Sequence, residues 1–335
     1  FFHDLDFKEL MGEDENAVIQ VKEDLTKKKG DSVTFALLNR LTNAATTGSA
    51  VLEGNEEDLV SRSHKLSVDK RRHGVRVSEM QDQASAIDIR NAMRPALKSW
   101  ANENTRDAII REMGSINRVA YASASEAQKD AWLVDNADRC LFGALMSNNS
   151  ANDHSASLAN INNTADKLTR AAVSQMKLLA TTCSPKIRPV RDPGNGKRTF
   201  ILYAHPYAFR DLRADLEAVS DDTTAAGQAM KLYEGGDLMW DGCIIKQLDD
   251  MPLYSGVGAG GITVAPAYLL GAQAIGYAVA KRWQSKTKEF DYGDKFGAAI
   301  DAIDGFEKLT FGSGAADTDD QKDNGIVTGF FAAVA

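Results

Sequence analysis

Two periodicities divide the middle of the chain. Between Ser63 and Met80 apolar and polar positions alternate: Leu66 and Val68 against Ser67 and Asp69, then Val75 and Val77 against Arg76. A period of two marks a half-buried strand. The spacing predicts strands over Ser63–Asp69 and Val75–Met80, joined as a β-hairpin through Lys70–Gly74, where Gly74 can supply a positive φ. A lone hairpin is marginal in water, so this one must lie on something. Beyond it the period changes. Ile89, Met93, Leu97, Trp100, Ala108, Ile109 and Met113 fall mostly three or four apart, which predicts a long helix over Ala84–Met113 with one apolar face. Arg90, Arg94, Lys98, Asn102 and Arg106 form another face. Pro95 lacks a donor and crowds the preceding turn, so a kink near Asn91–Pro95 or a restart at Pro95 is expected. Gly114 is a natural stop.

Elsewhere the signals are shorter. Phe1–Lys29 holds few core-forming residues and reads as an extended or partly mobile arm. Gly30–Phe35 is a turn entering a strand, and Asn43–Ser49 is a loop. Glu126–Met146 carries helical spacing, Ser147–Ser157 is a polar loop, and a helix runs over about Asn163–Thr181, capped by Asn163, Thr164 or Asp166. Thr199–Ala204 is an apolar strand ended by His205-Pro206, followed by a helix with Phe209, Leu212, Leu216 and Val219 on one side. Asp241-Gly242 turns into a strand at Cys243–Ile245. Ala265–Arg282 reads as a helix, and Phe306–Phe311 as a final strand. Gly312–Asn324 is acidic and small, hence mobile or linking. Ile326–Ala335 is an apolar tail that must pack on its own subunit or on a neighbour.

Charge adds a direction. The acidic run Glu53, Glu56, Glu57 and Asp58 precedes a basic run of Arg62, Lys65, Lys70, Arg71, Arg72 and Arg76, opposed only by Asp69. Opposite patches this close suit a protein that contacts copies of itself, because complementary charge steers docking and fixes register. His64 and His73 flank the expected turn as surface residues. The whole chain of 335 residues can bury a large core, and 43% hydrophobic with 26% charged residues is ordinary for a globular protein. A net charge of −8 argues against a broad basic surface gripping nucleic acid.

Other chemistry is thin. Cys140, Cys183 and Cys243 are three widely spaced thiols with no disulfide or zinc pattern, as expected in a reducing cytoplasm. No secretory signal opens the chain, and its start at Phe1 suits removal of a short leader. Gly256–Ala280 carries no charge but is too rich in glycine and alanine for a membrane span. Gly256, Gly258 and Gly261 satisfy G-x-G-x-x-G, yet extended-favouring residues follow and no acid appears until Glu289. The five histidines show no metal-ligand spacing. No catalytic residue, cofactor or metal is expected.

Several short stretches, in order, resemble one family. Gly30-Asp31-Ser32-Val33-Thr34-Phe35, Leu52–Glu57, Phe200–Leu212, Leu270-Gly271-Ala272-Gln273-Ala274, Asp291-Tyr292-Gly293-Asp294-Lys295, and Gly305–Lys308 with Phe311 are similar to elements of tailed-bacteriophage major capsid proteins of the Hong Kong 97 type, and within them to the phage N-four-like group. Asp294 departs from the group's usual Asn. The resemblance implies an α+β fold with an N-arm and first strand (1–48), an extended β-hairpin loop (49–81), a long spine helix and first part of a peripheral domain (82–162), an axial domain (163–266), a return to the peripheral domain (267–312) and a C-terminal tail (313–335). It implies self-assembly of hexamers and pentamers into an icosahedral shell around double-stranded DNA, without sequence-specific binding or a membrane. Portal protein, and scaffolding or cement proteins, are the implied further partners, and the virion, assembled in a bacterial cytoplasm, is the implied location. A nanocompartment shell of the same fold, and a nucleotide-using α/β enzyme built on the glycine loop, are the alternatives.

Overall fold

The computed structural model describes residues 7–26, 30–38, 43–49, 51–54, 56, 61–191, 196–225, 233, 234, 237–314, 316 and 318–334. The first third contains β1 (Met11–Gly12), β2 (Ile19–Lys22), β3 (Ser32–Leu38), β4 (Ser61–Ser67), β5 (Asp69–Ser78), α1 (Glu79–Ala84) and α2 (Ile89–Met113). The middle contains α3 (Glu126–Asn136), β6 (Cys140–Phe142), α4 (His154–Ala159), α5 (Arg170–Thr182), β7 (Val190–Arg191), β8 (Arg198–Ala204) and α6 (Pro206–Ala225). Strands dominate the rest: β9 (Tyr233–Glu234), β10 (Asp237–Trp240), β11 (Cys243–Gln247), β12 (Val264–Leu270), β13 (Ile275–Phe290), β14 (Lys295–Lys308), β15 (Thr310–Gly312), β16 (Gln321–Asp323) and β17 (Ile326–Ala332).

Two sheets organise these elements. One runs β1-β2-β13-β14-β5 and carries α2 on one face, where Met93, Leu97 and Ala101 meet Val77, Ala298 and Ile300. The other has eight strands in the order β6-β17-β12-β8-β11-β10-β9, with β7 beside β8. Its strands β6, β12 and β17, and β8 from Phe200 onward, are buried on both faces. Leu202, Ala204, Ala267 and Leu269 point to α5 and α6, while Ile201, Tyr203, Tyr268 and Leu270 point to Ile109, Ile110 and Met113 of α2. This apolar layer joins the two sheets, so α2 serves both cores.

That double burial corrects the helix expected at Ala265–Arg282. The stretch is β12, a turn, and the start of β13. A strand covered on both faces needs no alternation, so its apolar residues can fall at helical spacing by coincidence. Pro266 is tolerated because pairing with β8 begins only at Ala267. The same double burial explains the tail. Every residue of β17 is buried, and the strand lies between β6 and β12 of its own subunit.

Several local expectations also change. The N-terminal segment is docked from residue 7 onward: Phe7, Val18 and Ile19 are buried, Phe7 meets Tyr203 edge-on at 5.3 Å, and β2 pairs with β13. Helix α2 starts at Ile89, capped by Asp88, and runs through Pro95 unbroken, so the proline falls in its second turn without ending it. Gly114 does stop it, and a Cβ there would lie 2.5 Å from the Tyr268 hydroxyl. Helix α5 starts at Arg170, later than expected, with Thr169 as its cap. Part of the polar stretch Ser147–Ser157 is helical in α4, and Cys140–Phe142, expected as helix, is a strand. Asp241-Gly242 forms the two-residue turn between β10 and β11, both residues at positive φ.

The expected hairpin over Ser63–Met80 is not a hairpin. Its two strands exist, but β4 pairs antiparallel with β3, and β5 pairs antiparallel with β14. Gly74 is not among the positive-φ residues and lies mid-strand opposite Ala299. Alternation revealed the strands and could not reveal their partners. The chain passes from one sheet to the other at Val68.

Candidate functional site

The antiparallel pair β3/β4 is rooted by a small core of Val33, Phe35, Leu66, Ala278, Leu309 and Phe311. Glycines let it approach β13 and β14 closely. A Cβ on Gly305 would sit 2.3 Å from the Ser67 carbonyl oxygen, and one on Gly276 would meet the Phe35 ring at 3.1 Å. His64, expected at the surface, is buried here: Nδ1 lies 3.0 Å from the Thr310 carbonyl oxygen and Nε2 2.9 Å from Glu307 Oε2. Lys22 Nζ donates to the Thr34 carbonyl at 2.9 Å and lies over the Phe35 ring. The root is thus fixed by packing and polar contacts, while the sequence between β3 and β4 carries the acidic run.

Of that run, Glu53 and Glu56 are exposed, and Glu56 accepts a hydrogen bond from the Gly54 amide. Glu57 and Asp58 lie outside the described residues. The basic run is split by strand alternation. On β5, Arg71, His73, Val75 and Val77 face α2. Arg71 donates from Nε to Asp304 Oδ1 at 2.7 Å and from Nη2 to Asp304 Oδ2, while Nη1 donates to Asn104 Oδ1 at 2.8 Å. Its guanidinium also lies over Trp283 and Phe306. His73 stacks on Trp100 at 4.5 Å. Arg62 is half-buried and donates to the Gly314 carbonyl at 2.7 Å. Arg71 and Arg62 therefore hold the subunit together.

Lys70, Arg72 and Arg76 are exposed on the opposite face of β5, and Lys65 is exposed on β4. Register places Arg72 beside Asp301, which is beside Gln284, and Arg76 beside Gly297, which is beside Lys288. Between these rows, Gly74 is beside Ala299, which is beside Lys286. The face turned away from α2 thus has a central strand of small residues flanked by two cationic columns. Strand spacing sets the columns about 10 Å apart. Lys286 and Lys288 were missed in the sequence because a helix was expected up to Arg282 and nothing beyond it pointed to a sheet face. Asp301 is the acid in this face. Its hydrogen bond from Lys281 at 2.6 Å, with Lys286 nearby, holds its carboxyl below the usual range, so it remains anionic and paired.

Cys140, Cys183 and Cys243 are buried, and burial pushes the Cys243 thiol up to about 12. The Gly256–Gly261 loop opens on strand β12 rather than on a helix, so it lacks the phosphate-binding context. Among the described residues no helix is long and apolar enough to cross a membrane. Among the described residues, the carboxylates of Glu126, Asp130 and Asp153 lie close together on other elements.

Comparison with known proteins decides what this architecture belongs to. The family model described as phage capsid protein matches residues 2–334. The chain belongs to the phage capsid protein family. It is 25% identical to the major capsid protein of Pseudomonas phage KPP25 over 348 aligned residues, covering 96% of this chain and 89% of that one. Among solved structures it is similar to the capsid asymmetric unit of cyanophage Pam1, at 29% identity and a TM-score of 0.85, covering 100% of this chain and 94% of that one. The capsid of Ralstonia phage GP4 has the same fold, at 23% identity and a TM-score of 0.79, covering 100% and 93% of the two chains. This capsid protein therefore has the α+β fold of the Hong Kong 97 type, and it is a structural component of a virion shell built from many copies of itself. The short sequence stretches that carried the resemblance occupy demanding places in that fold. Gln273 takes a positive φ and is held by Gln20 and Arg188, Asp291-Tyr292-Gly293 turns β13 into β14, and Gly305 makes room for β4.

Proposed function

We propose that this capsid protein closes into its shell through a charge-matched contact between neighbours. Hexamers and pentamers form, and together they enclose double-stranded DNA in an icosahedral particle. The acidic run Glu53, Glu56, Glu57 and Asp58 of one subunit seats on the cationic sheet face of the next. Lys70, Arg72, Arg76, Lys286 and Lys288 receive it, with Lys65 at the rim. The two cationic columns on either side of Ala299 are the observation that carries this reading: an extended acidic segment meets positive charge on both sides there, with Phe290 closing one end over Gly297. In this scheme residues 30–68 form the extended loop, residues 89–113 the spine helix, and the eight-stranded sheet with α5 and α6 the axial domain. The contact is heterologous, using different patches on the two partners, and such contacts generate rings. Single exposed pairs contribute only about 0–1 kcal/mol, so repetition over the many subunits of a shell supplies the effect. Portal protein, and scaffolding or cement proteins, complete the head in the cytoplasm of a bacterial host.

The test is charge reversal on the exposed face alone. Arg72→Glu with Arg76→Glu, leaving Arg71 intact, is expected to abolish closed shells by negative-stain microscopy while the subunit remains folded. Shells of normal size and yield from this variant would sink the proposal.

A further inference from the structure

We infer that the charged contact between copies ends in an apolar anchor, in which Val51 and Leu52 of one subunit seat on Phe290, Tyr292 and Met80 of the next. The inference rests on the contact proposed above and gives it a direction. One half of the anchor belongs to the acidic segment. Val51 and Leu52 directly precede Glu53 and are 67% and 60% exposed. The other half closes the receiving face. Alternation along β13 puts Phe290 on the same side as Lys286 and Lys288. The last row of that face is Ser78 beside Lys295, which is beside Phe290. Phe290 thus continues the column of Lys286 and Lys288, and Lys288 Nζ lies over its ring at 5.0 Å. Lys295 is paired with Asp291 at 2.7 Å, so this end of the face carries less free charge than the rows before it.

Tyr292 stands beyond Phe290, fully exposed on the turn into β14, at a φ of 53°. A bulky residue at positive φ is unusual, and such strain gathers where a segment is shaped for contact. Met80 is exposed on α1, and the Glu79 amide donates to the Asp294 carbonyl at 2.8 Å, which ties the start of α1 to the same turn. Order and length agree on the two sides. On the segment the apolar pair precedes the acids, and on the face the aromatic row precedes the cationic rows. From Phe290 to Lys286 is four residues of strand, about 13 Å. From Leu52 to Glu56 is also four residues, which reach at most about 14 Å. Glu56 can therefore come level with Lys286 when Leu52 sits at Phe290. The opposite direction would press Leu52 against Arg72 and Asp301. The anchor fixes a direction that charge alone leaves open, and buried aromatic anchors carry a larger share of binding than rim charges do.

The test uses shells of the full chain. With p-benzoylphenylalanine in place of Leu52, light should cross-link one chain to another, and mass spectrometry should place the link at Met80 or between Phe290 and Tyr292. Independently, Val51→Ser with Leu52→Ser should raise the protein concentration needed for shell assembly at least about 10-fold. The subunit itself should melt as the wild type does, because both side chains are exposed. Links confined to one chain or to other segments, or assembly of the serine variant at the wild-type concentration, overturn the anchor. The charge contact is judged apart from it. A serine variant that assembles normally, beside an Arg72→Glu with Arg76→Glu variant that does not, removes the anchor and leaves the charge contact standing.

Discussion

The basic run on β5 and the C-terminal stretch from Lys308 to Ala332 invert each other's appearance. In sequence the basic run resembles a surface built for a partner, yet Arg71 is locked to Asp304 and Asn104 of its own subunit. The C-terminal stretch reads as a loose acidic linker and an apolar tail in need of cover, yet it holds one of the most deeply buried ion pairs among the described residues. Lys308 Nζ and Asp323 Oδ2 are 2.7 Å apart at 2% and 1% side-chain exposure. Around them, Trp132 Nε1 donates to Asp323 Oδ2 at 3.2 Å, the Asp323 amide donates to Asn136 Oδ1 at 2.9 Å, and Arg139 donates to the Asp323 carbonyl. Charge density along a sequence therefore does not tell which charges meet water. The neighbours that strand pairing brings alongside do.

The largest expected effect breaks the buried side of this comparison. Lys308→Ala leaves Asp323 charged and unpaired in the core, and removing one partner of a buried pair costs about 3–5 kcal/mol. Urea unfolding of the subunit should show that loss. Replacing both, as Lys308→Met with Asp323→Leu, should recover much of it, because a dry apolar pair avoids desolvation. An unfolding midpoint unchanged in Lys308→Ala would mean that the pair is not buried. The next effect splits the basic run itself. Arg71→Glu faces Asp304, whose side chain is 1% exposed, and should cost roughly 2–4 kcal/mol, less than the first because Arg71 itself is partly exposed. Arg72→Glu, one position along on the open face, sets a like charge beside Asp301 and should cost about 0.2–1 kcal/mol. Equal losses for the two variants would remove the distinction between a structural and an outward arginine.

These contrasts bear on what the sequence reveals. Local patterns were legible wherever one face of an element meets water: β4, β5, α2 and the inward residues of α5 follow their periods. They failed where both faces are covered, as in β12 and β17, and where pairing partners are distant in the chain, as for β3 with β4 and β5 with β14. The interface candidates show the same limit. Arg72 and Arg76 were visible as charges, but their separation from Arg71 depends on which side α2 covers. Lys286 and Lys288 joined them only once β13 was recognised as a long strand.

The smallest expected effects sharpen where the chain crosses between the two regions. Gly305→Ala places a Cβ 2.3 Å from the Ser67 carbonyl oxygen, which backbone cannot evade cheaply. Overpacking of this kind costs about 1–3 kcal/mol, and it should loosen β4 from β14, read as faster amide exchange at Leu66 and Ser67. Gly74→Ala is the complementary test. A turn at Lys70–Gly74 with Gly74 at positive φ would be strained by the substitution. In the observed mid-strand position the closest atom to the new methyl is Ala299 Cβ at 3.3 Å, and the lost flexibility of the unfolded chain offsets that contact. The change should stay within about 0.5 kcal/mol of zero. A clear destabilisation at Gly74 together with none at Gly305 would return the turn to Lys70–Gly74 and take β5 away from β14.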